Sequence, residues 1–221
     1  MRLPGAVTVV LAIGLMTAHA RADGNDDSGD NPGLITPQHK TEAIARRGHD
    51  HQLGLDLQLA VGMRAINTYN GQFCGAVDTN GGTNQAYCLS RTPMTLDFGL
   101  SYGLTPAIEA LFEWRIGVEK DFGASTTDTN GPRVDQIAPG ARFYFARSGR
   151  SVFFSTAQLV LDTTGYDDVS GWDFQLRNVN GFMFDFQRTY SVYVFFGEQV
   201  GFKRWLSASL EGGVGVQGRL F

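Results

Sequence analysis

Apolar and polar residues alternate along most of the chain after residue 52, with a period of two. In the segment LGLDLQLAVGMRAIN, apolar side chains occupy the odd positions from Leu53 to Met63, whereas Asp56, Gln58 and Arg64 occupy even positions. Successive side chains of a β-strand point to opposite faces, so this period predicts a strand with one apolar and one polar face. The alternation therefore favours an all-β fold.

Seven further segments carry the same signal in varying strength. Four of them alternate clearly: MTLDFGLSYGL, IEALFEWRIGVEK, IAPGARFYFA and LSASLEGGVGVQGRLF. SVFFSTAQLVLDT and WDFQLRNVNGFMFDF are also predicted strands, and the RNVNG stretch predicts a β-bulge in the second of these. The segment YSVYVFFGEQVGF is apolar through its middle, which leaves its two faces open. We expect eight strands in all.

The segment before the first strand divides into two parts. Residues 1–22 have a basic start, an apolar run from Ala6 to Met16 and small residues after it, which is typical of a signal peptide. That run is shorter than the roughly 20 residues of a membrane-spanning helix. Residues 23–52 are predicted to form a flexible acidic segment in the periplasm, and residues 53–221 the barrel.

Charge and cysteine content exclude several classes of function. The formal net charge of −4 argues against nucleic acid as a partner. Cys74 and Cys88 lie in a polar segment of an exported chain, so we expect a disulfide between them. Two cysteines without a nearby histidine cluster do not make a zinc site, and we expect no metal and no cofactor.

The connections between the predicted strands are long at one end and short at the other. Polar loops at about 66–92, 120–134 and 163–172 alternate with turns near TPA, RSG and DFQRT. This asymmetry is typical of membrane barrels with both termini on the short-turn side. It favours an eight-stranded antiparallel up-and-down transmembrane β-barrel over a soluble lipocalin-like barrel, in which the apolar face would line the interior.

In a membrane barrel the polar face lines the interior, which side chains largely fill when there are eight strands. We therefore expect an ion-paired network in the lumen, built from Asp56, Arg64, Asp97, Glu109, Glu113, Arg115, Arg142, Glu211 and Arg219. Aromatic girdles at the two membrane interfaces are expected from Trp114, Trp172, Trp205, Tyr102, Phe143, Phe145, Phe184 and Tyr190. Trp114 is the exception among these, because it lies near the middle of its strand.

Three stretches resemble the small eight-stranded outer-membrane β-barrel proteins of Gram-negative bacteria: SYGLTPAIEALFEWRIG, APGARFYF and LEGGVGVQGRLF. The resemblance implies an outer-membrane location with periplasmic termini. In that family the barrel assembly machinery reads a C-terminal aromatic residue, which implies that Phe221 is an insertion signal. Phe221 is one step out of phase with the apolar Val214, Val216 and Leu220, and a bulge near Gly218 would restore the register.

These features favour a structural or surface-interaction role in the outer membrane. The partners would be outer-membrane lipid, the assembly machinery and an extracellular partner at the loops. A small gated channel for ions or solutes is the main alternative, and a soluble periplasmic carrier of an apolar ligand is a further one. We expect no enzymatic activity, because His39, His49 and His51 all precede the first strand and the barrel lacks the usual catalytic base.

Overall fold

The chain forms a closed barrel of eight antiparallel strands. The computed structural model describes residues 50–67, 87–121, 132–148, 150–165, 171–187 and 189–220. The strands follow one another around the barrel in sequence order, and β8 pairs with β1. Their bounds are β1 Leu53–Asn67, β2 Tyr87–Thr105, β3 Ile108–Lys120, β4 Arg133–Ser148, β5 Ser151–Asp162, β6 Asp173–Gln187, β7 Tyr190–Gly201 and β8 Leu206–Leu220. The predicted eight-stranded up-and-down architecture is confirmed.

The strand register fixes the tilt of the barrel. Paired residues can be followed once around the wall, from β1 back to β1, through Gly54, Ser101, Leu111, Gly140, Gln158, Arg177, Gln199, Ser209 and Arg64. The path therefore returns to β1 ten residues beyond its start. With eight strands about 4.8 Å apart and about 3.3 Å per residue, this stagger tilts the strands by about 40° from the barrel axis.

The exterior of the barrel is apolar and the interior is largely polar. On β1 the side chains of Leu53, Leu55, Leu57, Leu59, Val61 and Met63 are 38–56% exposed. The intervening Asp56 and Gln58 are 4% and 2% exposed. Apolar residues on the outside are the reverse of the arrangement expected for a soluble carrier with an apolar cavity. The described residues contain no helix long and apolar enough to cross a membrane.

Several expectations concern residues outside the described ranges. The signal peptide and almost all of the acidic segment fall within residues 1–49, and they stay predictions. Cys74 and Phe221 lie outside the described residues as well, so the expected disulfide and the insertion signal also stay predictions.

β2 is longer than its sequence pattern indicates. It begins at Tyr87, so the first long connection spans residues 68–86 and not about 66–92. We call the end of the barrel at which the longer connections lie the outer end. The alternation fails in this part because the pairing with β1 shifts between Ala60 and Gly62, where β2 carries Pro93. Proline has no N–H for the sheet and is accommodated at bulges. Outward-facing residues are consequently odd-numbered before the bulge, as at Leu89, and even-numbered after it, as at Phe98.

The bulge predicted for β6 at RNVNG is absent, and so is a bulge near Gly218 of the kind that would bring Phe221 into phase with Leu220. β6 pairs with β5 without interruption from Asp173 to Phe184, and its inward and outward positions alternate through the RNVNG stretch. β8 pairs without interruption through Gly218 with both β7 and β1. The alternation of apolar and polar residues fails in β6 because Asn178 and Asn180 are polar residues at outward-facing positions of a regular strand.

Glycines of β8 make room for aromatic rings that β7 points into the barrel. A Cβ atom added to Gly215 would lie 2.3 Å from Cζ of Tyr193, which pairs with it across the sheet. A Cβ atom on Gly213 would lie 2.6 Å from Cζ of Phe195. Both rings are buried. The alternating glycines near the end of the chain are therefore a packing requirement of the neighbouring strand.

This packing predicts that Gly215→Ala destabilises the barrel by about 1–3 kcal/mol, because the buried Tyr193 ring cannot move away from the new methyl group. Gly218→Ala is the matched control, since nothing lies within 4 Å of a Cβ atom at that position. Urea unfolding in lipid vesicles, followed by tryptophan fluorescence, measures both. Equal stability of the two variants would contradict the packing argument.

Candidate functional site in the barrel lumen

All nine polar residues that the sequence pattern assigned to the lumen lie on inward-facing positions. Eight of them are at most 6% exposed, and Arg64 is half-buried near the outer end of β1. They come from five strands: Asp56 and Arg64 from β1, Asp97 from β2, Glu109, Glu113 and Arg115 from β3, Arg142 from β4, and Glu211 and Arg219 from β8.

Arg115 organises the part of the lumen nearer the outer end. Its guanidinium donates to Asp97 at 3.0 Å and to Glu211 at 2.8 Å, so it joins β2, β3 and β8 across the interior. It also donates to Gln199 at 2.9 Å and to Thr95 at 3.2 Å. Nearly all of its hydrogen-bonding capacity is used, which is the condition under which a buried charge is tolerated.

Arg177 of β6 is a central member of the network that the sequence analysis missed. It donates to Glu211 at 2.6 Å, to Glu113 at 2.8 Å and to Gln158 at 2.8 Å, and Asp97 lies 3.5 Å from its Nη2. Arg177 as a whole residue is 2% exposed. A single cation is therefore in contact with carboxylates from three other strands.

A signal for Arg177 was present in the sequence. Asp173 and Gln175 precede it at the same period of two, so these three polar residues share a face of β6. The inferred bulge obscured that face, because a bulge makes the inward or outward direction of a strand uncertain.

Arg142 organises the part of the lumen nearer the two-residue turns. Its guanidinium donates to Asp56 at 3.1 Å and lies 3.6 Å from Glu109. The same guanidinium lies 5.2 Å from the ring centroid of Phe154 and 5.5 Å from that of Tyr193, within the range of cation–π attraction. Aromatic rings therefore replace part of the solvation that Arg142 loses.

Glu113 connects the contacts of Arg177 with those of Arg142. It accepts hydrogen bonds from Arg177 and Gln158 at 2.8 and 2.7 Å, and another from Gln58. Nη2 of Arg142 lies 3.9 Å from its other oxygen. The central network thus combines five carboxylates with three guanidiniums, and its members are Asp56, Asp97, Glu109, Glu113, Glu211, Arg115, Arg142 and Arg177.

Separate ion pairs lie at the two ends of the lumen. At the outer end Arg64 donates to both oxygens of Asp121, at 2.7 and 2.5 Å. At the other end Arg219 donates to Asp185 at 3.3 Å, and Ser191 donates to the same carboxylate at 2.6 Å. Charged contacts therefore extend along the whole described length of the interior.

A cavity of about 70 Å³ opens above Arg115 and Glu211 at the outer end. Trp205 lines this cavity and is 5% exposed, so the expectation that it belongs to an interfacial girdle was wrong. Trp205 ends the connection 202–205, in which the backbone N–H groups of Lys203 and Arg204 donate to the buried Asp173 at 2.9 and 3.0 Å. The cavity is lined by both arginines and carboxylates, so its charge is mixed. The described residues include no group of three or more His, Cys, Asp or Glu placed to hold a metal ion.

The network predicts that Arg177→Met destabilises the barrel by about 3–5 kcal/mol, because it leaves buried carboxylates without their cation. Arg133→Met removes an exposed arginine at the outer end of β4 and is the control, with an expected change below about 0.5 kcal/mol. Urea unfolding in lipid vesicles measures the change in stability of both variants. A loss below about 1 kcal/mol for Arg177→Met would show that the network has little energetic importance.

Comparison with known proteins gives similarity in fold alone. No family model matches the chain, and no curated protein matches it. One similar solved structure is the N-terminal β-barrel domain of Pseudomonas aeruginosa OprF, at 13% identity, with 77% of this chain and 98% of that chain covered and a TM-score of 0.49. Similarity at this level concerns the fold and carries no conclusion about function.

Two further structures give similar values. Neisserial surface protein A has 11% identity and a TM-score of 0.47, with 76% of this chain and 97% of that chain covered. Ail, the attachment invasion locus protein of Yersinia pestis, has 8% identity and a TM-score of 0.48, with 77% and 99% covered. These three solved structures are small eight-stranded outer-membrane β-barrels of Gram-negative bacteria, the kind of protein that the sequence resembles, and the likeness is one of fold.

Proposed function

We propose that the protein is an integral outer-membrane barrel with a structural or surface-interaction role and a lumen closed by its ion-paired network. The observation that carries the proposal is the predominantly apolar exterior around a charged interior. In water this exterior would be a very large apolar patch, far above the size that soluble monomers expose. In a bilayer the same surface contacts lipid, which is the first partner of the protein.

The height of the apolar exterior matches a bilayer. Ten residue steps separate Leu53 from Met63 on β1. At about 3.3 Å per step and a tilt of about 40°, they rise about 25 Å along the barrel axis, the height of the apolar band in outer-membrane barrels. Most of the described outward-facing charges lie close to the outer ends of strands, at Arg91, Lys120, Arg133 and Asp135.

Exposed aromatic residues support the same placement. Those near the short turns are Tyr102, Phe143, Phe145, Phe184, Phe186 and Tyr190. Towards the other end, Trp114 is 47% exposed, and its indole N–H donates to Asp135 at 2.8 Å. Because Asp135 lies near the outer end of β4, this hydrogen bond directs the indole N–H of the mid-strand Trp114 towards the outer interface. The girdle that we propose at the outer side also includes Trp172, which is exposed.

The asymmetric connections support a periplasmic location for the short turns and both termini. The connections 106–107, 149–150 and 188–189 are two residues long, whereas those at the other end span 68–86, 121–132, 163–172 and 202–205. Loops on a rigid scaffold often carry binding function. We propose that the long connections face outward and offer the surface for an extracellular partner, and that the assembly machinery inserts the barrel.

A gated conductance is the second candidate, and two observations favour it. The outer cavity already reaches down to Arg115 and Glu211. Arg177 lies within 3.5 Å of Glu113, Glu211 and Asp97, so its guanidinium could exchange acceptors without losing ionic contact. Rearrangement of these pairs would lengthen the cavity towards the other end of the lumen.

The membrane placement predicts that the protein sediments with outer membranes and migrates differently on a denaturing gel before and after boiling. A closed barrel keeps its hydrogen-bonded wall in detergent until it is heated, which is the physical reason for the shift. A protein found in the soluble periplasmic fraction, with no mobility shift, would contradict the proposal.

The closed lumen predicts no steady current when the purified protein is inserted in planar bilayers. The second candidate would instead give discrete openings, altered in frequency by Arg177→Gln and unaltered by the exposed control Arg133→Gln. Openings with that dependence would replace the structural role with the channel. A silent wild-type protein whose insertion is verified by the heat-dependent gel shift supports the closed lumen.

A further inference from the structure

A group of polar side chains interrupts the apolar exterior of the barrel. It consists of Ser155 on β5, Asn178 and Asn180 on β6, and Glu198 on β7, and we call it the polar strip. In the sheet Asn180 is paired with Ser155, and Asn178 is paired with Glu198, so the four residues occupy adjacent positions. All four alternate with the buried lumen residues and therefore face outward.

The polar strip satisfies only part of its own hydrogen-bonding capacity. Ser155 Oγ donates to Asn178 Oδ1 at 3.2 Å, and Asn178 Nδ2 donates to Glu198 Oε1 at a long 3.4 Å. None of the described residues forms a hydrogen bond with the side chain of Asn180. Glu198 is exposed, and the other three are half-buried. Donors and acceptors thus remain available on the outer surface.

Apolar side chains lie on both sides of the polar strip along its strands. On β6, Phe174 and Leu176 precede Asn178, whereas Phe182 and Phe184 follow Asn180, and three of these four are exposed. The two asparagines are therefore within the apolar band and not at its edge.

Lipid chains cannot satisfy these groups. A polar group in hydrocarbon keeps its full desolvation penalty unless it finds a hydrogen-bonding partner, and four such residues on three adjacent strands multiply that penalty. Replacement by any aliphatic residue would remove the penalty without disturbing the lumen, because the side chains face outward. A protein surface with matching donors and acceptors explains why the polar residues are tolerated.

We propose that the polar strip is the contact surface of a parallel homodimer, in which β6 of each copy lies at the two-fold axis. The inference rests on the membrane placement proposed above. Copies inserted in the same direction are related by an axis perpendicular to the membrane, so each residue near the axis meets its own copy at the same depth. Asparagine suits that position because its amide is both donor and acceptor, and it pairs with itself.

The neighbouring residues fit this arrangement. Asn178 and Asn180 of one copy face Asn178 and Asn180 of the other. One amide hydrogen of Asn178 is then donated to Glu198 of its own chain, and the second is available to the other copy. Ala157, paired with Asn178 on β5, is small and exposed, so it permits close approach of the second barrel. An unrelated partner would need a matching polar surface of its own, whereas the second copy carries one at the required depth.

Cross-linking in the membrane tests the axis. We expect Asn180→Cys, in a chain whose Cys74 and Cys88 are replaced by Ser, to form a covalent dimer on mild oxidation in outer-membrane vesicles. Phe98→Cys in the same background is the control, because it faces lipid on β2, four strands away. Cross-linking at both positions or at neither position would overturn the proposed interface.

A second measurement uses the native cysteines. In sedimentation equilibrium at matched detergent density, the wild-type protein should be dimeric, and Asn178→Leu with Asn180→Leu should weaken association about tenfold. The double variant should keep the heat-dependent gel shift at the same or a higher temperature, which shows that the barrel is folded. A monomeric wild-type barrel that shifts on heating overturns the dimer alone. A wild-type protein without the shift and outside the membrane overturns the proposed function, and the dimer with it.

Discussion

The contacts of Arg177 are the interaction on which the interior of this barrel depends. Its guanidinium contacts carboxylates of β2, β3 and β8, none of which is paired with β6 in the wall. Backbone hydrogen bonds join each strand only to its neighbours, so such contacts across the lumen are what resist flattening of the cylinder. A buried arginine can do this because its planar guanidinium donates hydrogen bonds to several acceptors at once.

The lumen is divided between two kinds of packing. One kind is charged contact, through Arg115, Arg177 and Arg142. The other kind is a small apolar cluster, whose members are Ala60, Val152, Phe154, Val179, Met183, Tyr193 and Phe195. The two meet at Tyr193, whose hydroxyl donates to Asp56 at 3.3 Å while its ring lies beneath the guanidinium of Arg142. Aromatic rings in the lumen therefore limit both the space and the hydration around the nearby charges.

Much of this arrangement could be predicted from the sequence, and the residues that were missed have physical explanations. Strict alternation identified the inward residues of β1, β3 and β8, because a strand with a single polar face allows only one assignment of inward and outward positions. β7 could not be assigned because Tyr193 and Phe195 point inward against glycines of β8, so both of its faces are apolar. Arg177 was missed because outward asparagines on β6 conceal the alternation. Trp205 was misplaced because interfacial and cavity-lining tryptophans have the same sequence signature.

The ten-residue stagger of the closed wall also limits how this protein can change in length during evolution. A residue gained or lost within one strand would turn the following side chains to the other face, bringing charges to the exterior and leucines to the lumen. The described strands accommodate such an irregularity at Pro93, where the extra residue bulges, and their other shifts in register lie close to strand ends. Insertions and deletions should therefore collect in segments such as 68–86 and 163–172, while the strands change by substitution. The outer surface can diversify rapidly around a wall whose dimensions stay constant.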